Sequence, residues 1–255
     1  MTYQTIQFSA SDDDPRITDY ERERLDVDGY IVLPGLLTQH TCDQWSEAVD
    51  AIWLQDQARP KNYVVEPGVQ FTPNLLRYSL LFERCIIEPK VLDAVRQVLG
   101  PSIIFSLVNG RRADSGFGNQ PLHDLKRIRG RPFRWCSTIW CLDEFTPSNA
   151  TRVLPGSHMP IDSLLGDIED PLAPHPAERR IIAPRGSVIV FNAHLIHAGS
   201  TNLNSTPRRC VQCQFAVPSE KPNYDWRTLP EPIKQKLKSE SQNLLGLSST
   251  QIRWR

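Results

Sequence analysis

The sequence predicts a mainly β fold, a β-sandwich or jelly roll with a layer of helices on one sheet. Two observations carry this. Apolar residues recur at helical spacing as far as Leu99, and from Ile103 onward they recur in short strand-like runs broken by Gly/Pro turns. Helices first and strands second is the order expected when helices cover a single face of a sheet. At 255 residues the chain is long enough for one domain with a sizeable core.

Residues 1–17 are polar and acidic, without the charged-then-apolar build of a signal peptide, and are expected to be flexible. Residues 18–255 are expected to form a single domain. Its first helix, Thr18 to Asp28, opens with a capping box in which Thr18 is the cap and Glu21 its partner. A short strand, Gly29 to Gly35, closes on Pro34-Gly35. Thr38 caps a second helix whose Cys42, Trp45, Val49, Ile52 and Trp53 make one apolar face. Residues 60–73 read as loop, and Leu75 to Phe82 as an apolar segment. A third helix, Pro89 to Leu99, is stopped by Gly100-Pro101.

Strands follow at Ile103 to Val108, Phe133 to Leu142 and Thr151 to Leu154. In the second of these, Arg134, Cys136, Thr138, Trp140 and Leu142 share one face, and Trp135, Ser137, Ile139 and Cys141 the other. The proline-rich stretch Asp162 to Arg180 is a surface excursion or a lid. Val188 to Phe191 is a buried β-branched strand, and His197 lies beyond its end. Arg208 begins a return strand reaching Val217. There Arg208, Cys210, Gln212 and Gln214 share a polar face suited to a cavity, and Arg209, Val211, Cys213 and Phe215 share a packing face. A polar helix spans Glu231 to Leu245.

Lysine plus arginine and aspartate plus glutamate are balanced at 29 each. This argues against nucleic acid and anionic membrane surfaces as partners. No apolar run approaches the roughly 20 residues of a membrane span. A cytoplasmic protein with six reduced, mostly core-filling cysteines is expected. Cys210 and Cys213 form a C-x-x-C, but on a strand they face opposite sides, which argues against a metal pair.

Six histidines are present. His123 beside Asp124, with the distant His197, has the composition of a two-histidine, one-carboxylate site for Fe(II), which leaves positions open for a 2-oxo acid. Arg208 is the candidate cation for that acid's far carboxylate. Gln120 and Trp140 are candidate pocket residues, and Trp45 and Trp135 core residues. His158 is expected to brace a turn, His194 to support His197 or simply to pack, His40 to be structural and His175 exposed.

Several segments in order resemble the phytanoyl-CoA dioxygenase family of Fe(II)/2-oxoglutarate oxygenases. They are Asp28 to Gly35, Gln120-Pro121-Leu122-His123, Ala150 to His158, Gly186 to Asn192, His197 to Asn202 and Pro207-Arg208-Arg209, spanning roughly residues 25–218. The resemblance implies a double-stranded β-helix (jelly roll, cupin-like) with iron inside. It also implies His123 and His197 as iron ligands, Arg208 as the 2-oxoglutarate anchor, and a small-molecule substrate of secondary metabolism.

One feature departs from the family pattern. The family has His-x-Asp where this chain has His123-Asp124-Leu125. Three alternatives stay open: Asp124 ligates on a locally shortened loop, the carboxylate is absent, or iron binding is lost. The resemblance accordingly implies an oxygenase (hydroxylation, desaturation or oxidative rearrangement), with a redox-neutral isomerase or cyclase, or a non-catalytic partner subunit, as the alternative. Homo-oligomer and hetero-partner are both open.

Overall fold

The computed structural model describes residues 14–56, 66–124, 130–160 and 168–248. Most of the expected flexible N-terminus, residues 1–13, lies outside them, as do Leu125 and residues 161–167 of the proline-rich excursion. Ile17 was placed in the flexible stretch, yet it is buried, and its N–H donates to Asp93 at 2.9 Å. The buried side chain and this hydrogen bond together dock the chain here.

Helix α1 (Asp19–Val27) starts at the expected capping box: Glu21 N–H donates to Thr18 Oγ1, and the Glu21 carboxylate accepts from Thr18 N–H. Strand β1 (Tyr30–Leu33) leads to α2 (Gln39–Asp56), which buries Cys42, Trp45, Val49 and Ile52. After β2 (Val69–Thr72) come two 3₁₀ turns, the short α3 (Arg84–Ile87) and α4 (Pro89–Leu99), which ends at Gly100 with φ +87°. The remaining strands are β3 (Ile104–Ala113), β4 (Trp135–Cys141), β5 (Thr151–Val153), β6 (Arg179–Ile181), β7 (Val188–Asn192), β8 (His197–Gly199) and β9 (Arg208–Ala216). The expected C-terminal helix is instead two short ones, α5 (Glu231–Lys234) and α6 (Ser239–Leu244). They are separated where Leu237 turns inward to bury itself.

Among the described residues, the strands form a six-stranded sheet, β1-β7-β4-β9-β3-β2, and a three-stranded sheet, β6-β5-β8. Every pairing is antiparallel. The two faces of the large sheet do different work. Val188 and Val190 of β7 and Val211, Cys213 and Phe215 of β9 pack with the helices. Ile189 and Phe191, with Ile139, Cys141 and Cys210, pack toward the small sheet. The jelly roll and its helical layer are therefore as expected from sequence. Cys210 and Cys213 fall in different clusters, and all six cysteines are free and buried.

Trp140, expected in the pocket, is a core residue. It is fully buried in the helix-side core with Trp45, ring centroids 5.7 Å apart, and its Nε1–H donates to Thr138 Oγ1 at 3.2 Å. It does not line the cavity between the sheets. The alternation along β4 is as read; the face that looks into the cavity is the one carrying Ser137 and Ile139.

His158 braces a turn, as expected. Its Nε2 lies 3.1 Å from the Asp26 carbonyl, and its ring fills the space over Gly29. A Cβ at Gly29, where φ is +84°, would come within 2.6 Å of that ring. Among the described residues no helix is long and apolar enough to cross a membrane.

Candidate metal and cosubstrate site

The site is organised by one backbone bridge. His197 opens β8, and His123 lies outside any regular strand. The two exchange backbone hydrogen bonds, His123 N–H to His197 O at 3.0 Å and His197 N–H to His123 O at 2.9 Å. Directly opposed residues in an antiparallel pair project to the same side. The rings accordingly sit together, centroids 4.5 Å apart.

Each imidazole is oriented in the same way. His123 Nδ1 lies 2.7 Å from Pro121 O, and His197 Nδ1 lies 2.8 Å from Leu195 O. A carbonyl oxygen only accepts, so each Nδ1 is the donor, and in the neutral ring that leaves Nε2 with its lone pair. Both histidines line a cavity of about 300 Å³ between the sheets. Neutral rings tethered through Nδ1 are the form in which histidine ligates a metal.

Burial is the main cause that lowers the His197 pKa to about 3, reinforced by His123 and partly offset by the Leu195 carbonyl. The sign of the linkage follows. With the folded-state value depressed below the ordinary 6.5, the unfolded chain binds the extra proton between about pH 6.5 and 3. The metal-free chain is therefore expected to lose stability as pH falls through that window, by at most about 1.4 kcal/mol per pH unit from this residue. Urea titrations of wild type and His197→Gln at pH 7 and pH 5 check this; equal pH dependence in both would refute it.

At another part of the same cavity is Arg208, 3% exposed. Its guanidinium lies over the Phe145 ring at 5.5 Å, and its Nη1 donates to Ser200 O at 3.1 Å and to Asn149 O. Burial, with Arg111 nearby, brings its pKa down to about 10, so it stays charged at neutral pH. Cys210, Gln212 and Gln214 line the cavity beside it, as the β9 alternation requires. Gly199 permits the close approach: a Cβ there would sit 3.0 Å from Gln120 Oε1 and 3.4 Å from Arg208 Nη2.

Gln120 lines the cavity as expected. Its Oε1 accepts from Gly199 N–H at 3.1 Å, and its Nε2 donates to Glu66 Oε1 at 3.1 Å. Glu66 Oε2 in turn accepts from Arg111 Nη2 at 2.5 Å. Sequence reasoning missed Arg111, which is buried and lines the cavity. The signal was there: β3 runs on to Ala113, and twofold alternation from Leu107 through Asn109 brings Arg111 to the cavity face. The sequence predicts a strand only as far as Val108, and the structure continues it through Asn109, Gly110, Arg111 and Arg112 to Ala113. Among the described residues two guanidiniums thus face one cavity, and only Arg111 is salt-bridged to a carboxylate. That imbalance favours an anion.

Asp124 follows His123 but does not line the cavity. Among the described residues no group of three His, Cys, Asp or Glu side chains is arranged to hold a metal ion. Neighbouring side chains on extended backbone project oppositely, which accounts for the difference between His123 and Asp124. Leu125 lies outside the described residues. His194 is fully buried, stacked on Phe133, and accepts from Arg134 N–H at 3.3 Å, so it packs away from the cavity.

Comparison with known proteins gives the family and the fold. Residues 25–210 match the Phytanoyl-CoA dioxygenase (PhyH) family. Dioxygenase af480 of Aspergillus fumigatus is 23% identical over 241 residues, covering 86% of this chain and 74% of that protein. HygX of Streptomyces hygroscopicus, crystallised with nickel, 2-oxoglutarate and hygromycin B, superposes with a TM-score of 0.63 at 16% identity, covering 79% of this chain and 88% of its own. The epimerase SnoN, in complex with Fe3+, alpha-ketoglutarate and nogalamycin RO, gives 0.62 at 15%, covering 79% and 84%. At these identities the structural likeness is one of fold. The match over residues 25–210 goes further: the chain belongs to the phytanoyl-CoA dioxygenase family, and with it to the iron(II)/2-oxoglutarate-dependent dioxygenases.

Proposed function

We propose that His123 and His197 hold iron(II) through Nε2, that Asp124 supplies the third ligand, and that Arg208 anchors the distal carboxylate of 2-oxoglutarate. The observation that carries this is the pair of tethered imidazoles sharing one cavity with a buried arginine salt-bridged to no carboxylate among the described residues. The donor chemistry suits the metal and the acid: two imidazole nitrogens, and a fixed planar cation for a carboxylate. Bound iron supplies oxygen activation coupled to 2-oxoglutarate decarboxylation.

The chain's own residues do the rest. Phe191 packs edge-on against His197, centroids 4.8 Å apart, and with Ile139 and Phe145 gives the cavity dry walls. Gln120 and Arg111 present polar groups to what enters. The neighbours crystallised with hygromycin B and nogalamycin RO support a small metabolite as substrate, oxidised by hydroxylation, desaturation or oxidative rearrangement. Asp124 reaches the metal in this reading only by a turn at residues 123–124.

A second reading starts from the placement of Asp124, which does not line the cavity. In it the fold serves a redox-neutral isomerase or cyclase, or a non-catalytic subunit of a homo- or hetero-oligomer. Anaerobic titration of purified protein with iron(II) and 2-oxoglutarate separates the two. Under the first reading a visible charge-transfer band appears in wild type and is lost in Asp124→Ala and His197→Ala. No band in wild type would turn the assignment to the second reading. A band that survives Asp124→Ala would remove Asp124 from the ligand set.

A further inference from the structure

We infer that Arg152 is a positioning residue for the first imidazole: it locks residues 120–123 in place by tying them to the strap 170–178. The inference rests on the reading of His123 as an iron ligand, and it concerns a part of the chain that touches neither metal nor substrate.

The His123 segment has little regular structure of its own. Among the described residues, His123 is held to a strand by the single bridge with His197. Gln120 is tied to β8 as well, its N–H donating to Gly199 O at 2.9 Å and its Oε1 accepting from Gly199 N–H at 3.1 Å, and Arg152 holds the segment from the other side. Arg152 sits in the middle strand of the small sheet, opposite Ala198 and Arg180, and is 3% exposed. Its Nη2 donates to Gln120 O at 3.0 Å, Pro171 O at 2.8 Å and Leu172 O at 3.3 Å. Its Nη1 donates to Ala173 O at 2.7 Å and to Glu178 Oε2 at 3.3 Å. One buried charge thus joins the histidine segment to the strap through backbone carbonyls.

Two further contacts close the unit. Leu122 N–H donates to Pro171 O at 2.8 Å. Leu122, Leu154, Ile196 and Ala198 form a small apolar cluster against which Ile168 and Ala177 pack. Glu178 also accepts from His175 N–H at 3.1 Å, which fixes the turn of the strap. The strap lines no part of the cavity among the described residues. Its structural consequence is instead carried to Gln120, and one residue on to Pro121, whose carbonyl orients His123 Nδ1.

A buried guanidinium spends its donors on carbonyls only where its planar fork is matched to their positions. Lysine offers a point charge and cannot span Gln120 O on one side and Ala173 O on the other. Groups that orient a metal ligand typically alter metal affinity ten- to a hundredfold when changed.

The test compares Arg152→Lys, Arg152→Ala and, as a stability control far from the site, Val95→Ala, a buried position of α4. Two quantities are measured on each: anaerobic iron(II) affinity in the presence of 2-oxoglutarate, and hydrogen exchange of backbone amides in peptides covering residues 118–124. Arg152→Lys is expected to weaken iron(II) roughly tenfold or more and to accelerate exchange at 118–124. Val95→Ala, though less stable, is expected to leave both at the wild-type level. Wild-type exchange at 118–124 in Arg152→Lys overturns the inference, whatever the melting temperature does. If wild type binds no iron(II), the metal reading fails on its own, and the exchange comparison still decides the positioning role.

Discussion

Arg208→Ala is expected to weaken 2-oxoglutarate binding by about two to three orders of magnitude. The side chain is buried, charged and aimed at the cavity, so a carboxylate bound to it would form a desolvated, hydrogen-bonded ion pair. Removing one partner of such a pair costs about 2–5 kcal/mol, which is roughly 30- to several-thousandfold in affinity. Arg208→Lys is expected to fall between wild type and alanine, because charge is kept and the bidentate fork is lost. Calorimetric titration of 2-oxoglutarate in the presence of iron(II) measures this. An unchanged affinity in Arg208→Ala would move the anchor elsewhere. Arg111, the other guanidinium of the cavity, would then be the first residue to examine.

Trp140→Ala is expected to be among the most destabilising single changes in the chain, without weakening 2-oxoglutarate more than about twofold. Trp140 joins β4 to Trp45 of α2, and Trp45 in turn meets Phe82 edge-on at 5.2 Å. Truncating a fully buried tryptophan leaves a void its neighbours cannot fill, at a cost of about 3–5 kcal/mol. For a chain of this size that corresponds to a fall in melting temperature of roughly 10 °C. Thermal denaturation and ligand titration on the same variant separate packing from binding. A stable variant with impaired binding would put Trp140 back in the pocket.

The sequence by itself determined that helices come first and strands follow. The period of its apolar residues changes after Leu99, and the Thr18/Glu21 capping box and the Gly100 stop set helix ends locally. It also determined which residues of β9 share a face, because strand alternation depends on the backbone alone: Arg208, Cys210, Gln212 and Gln214 were read together and lie together on the cavity. The histidine pair was visible only as two residues 74 positions apart with suitable chemistry.

The tertiary structure decided which face of each strand looks inward. Along β4 the alternation was read correctly and the pocket side wrongly, because both faces are apolar enough to bury: one meets helices, the other the small sheet. It decided that polar residues 109–112 continue a strand and so bring Arg111 to the cavity, since β9 supplies the hydrogen-bonding partner. It also decided that the proline-rich excursion, expected as a surface excursion or a lid, is tied down over residues 170–178 by Arg152. That role is invisible in sequence, because a buried guanidinium and an exposed one are the same letter until five acceptors converge on it.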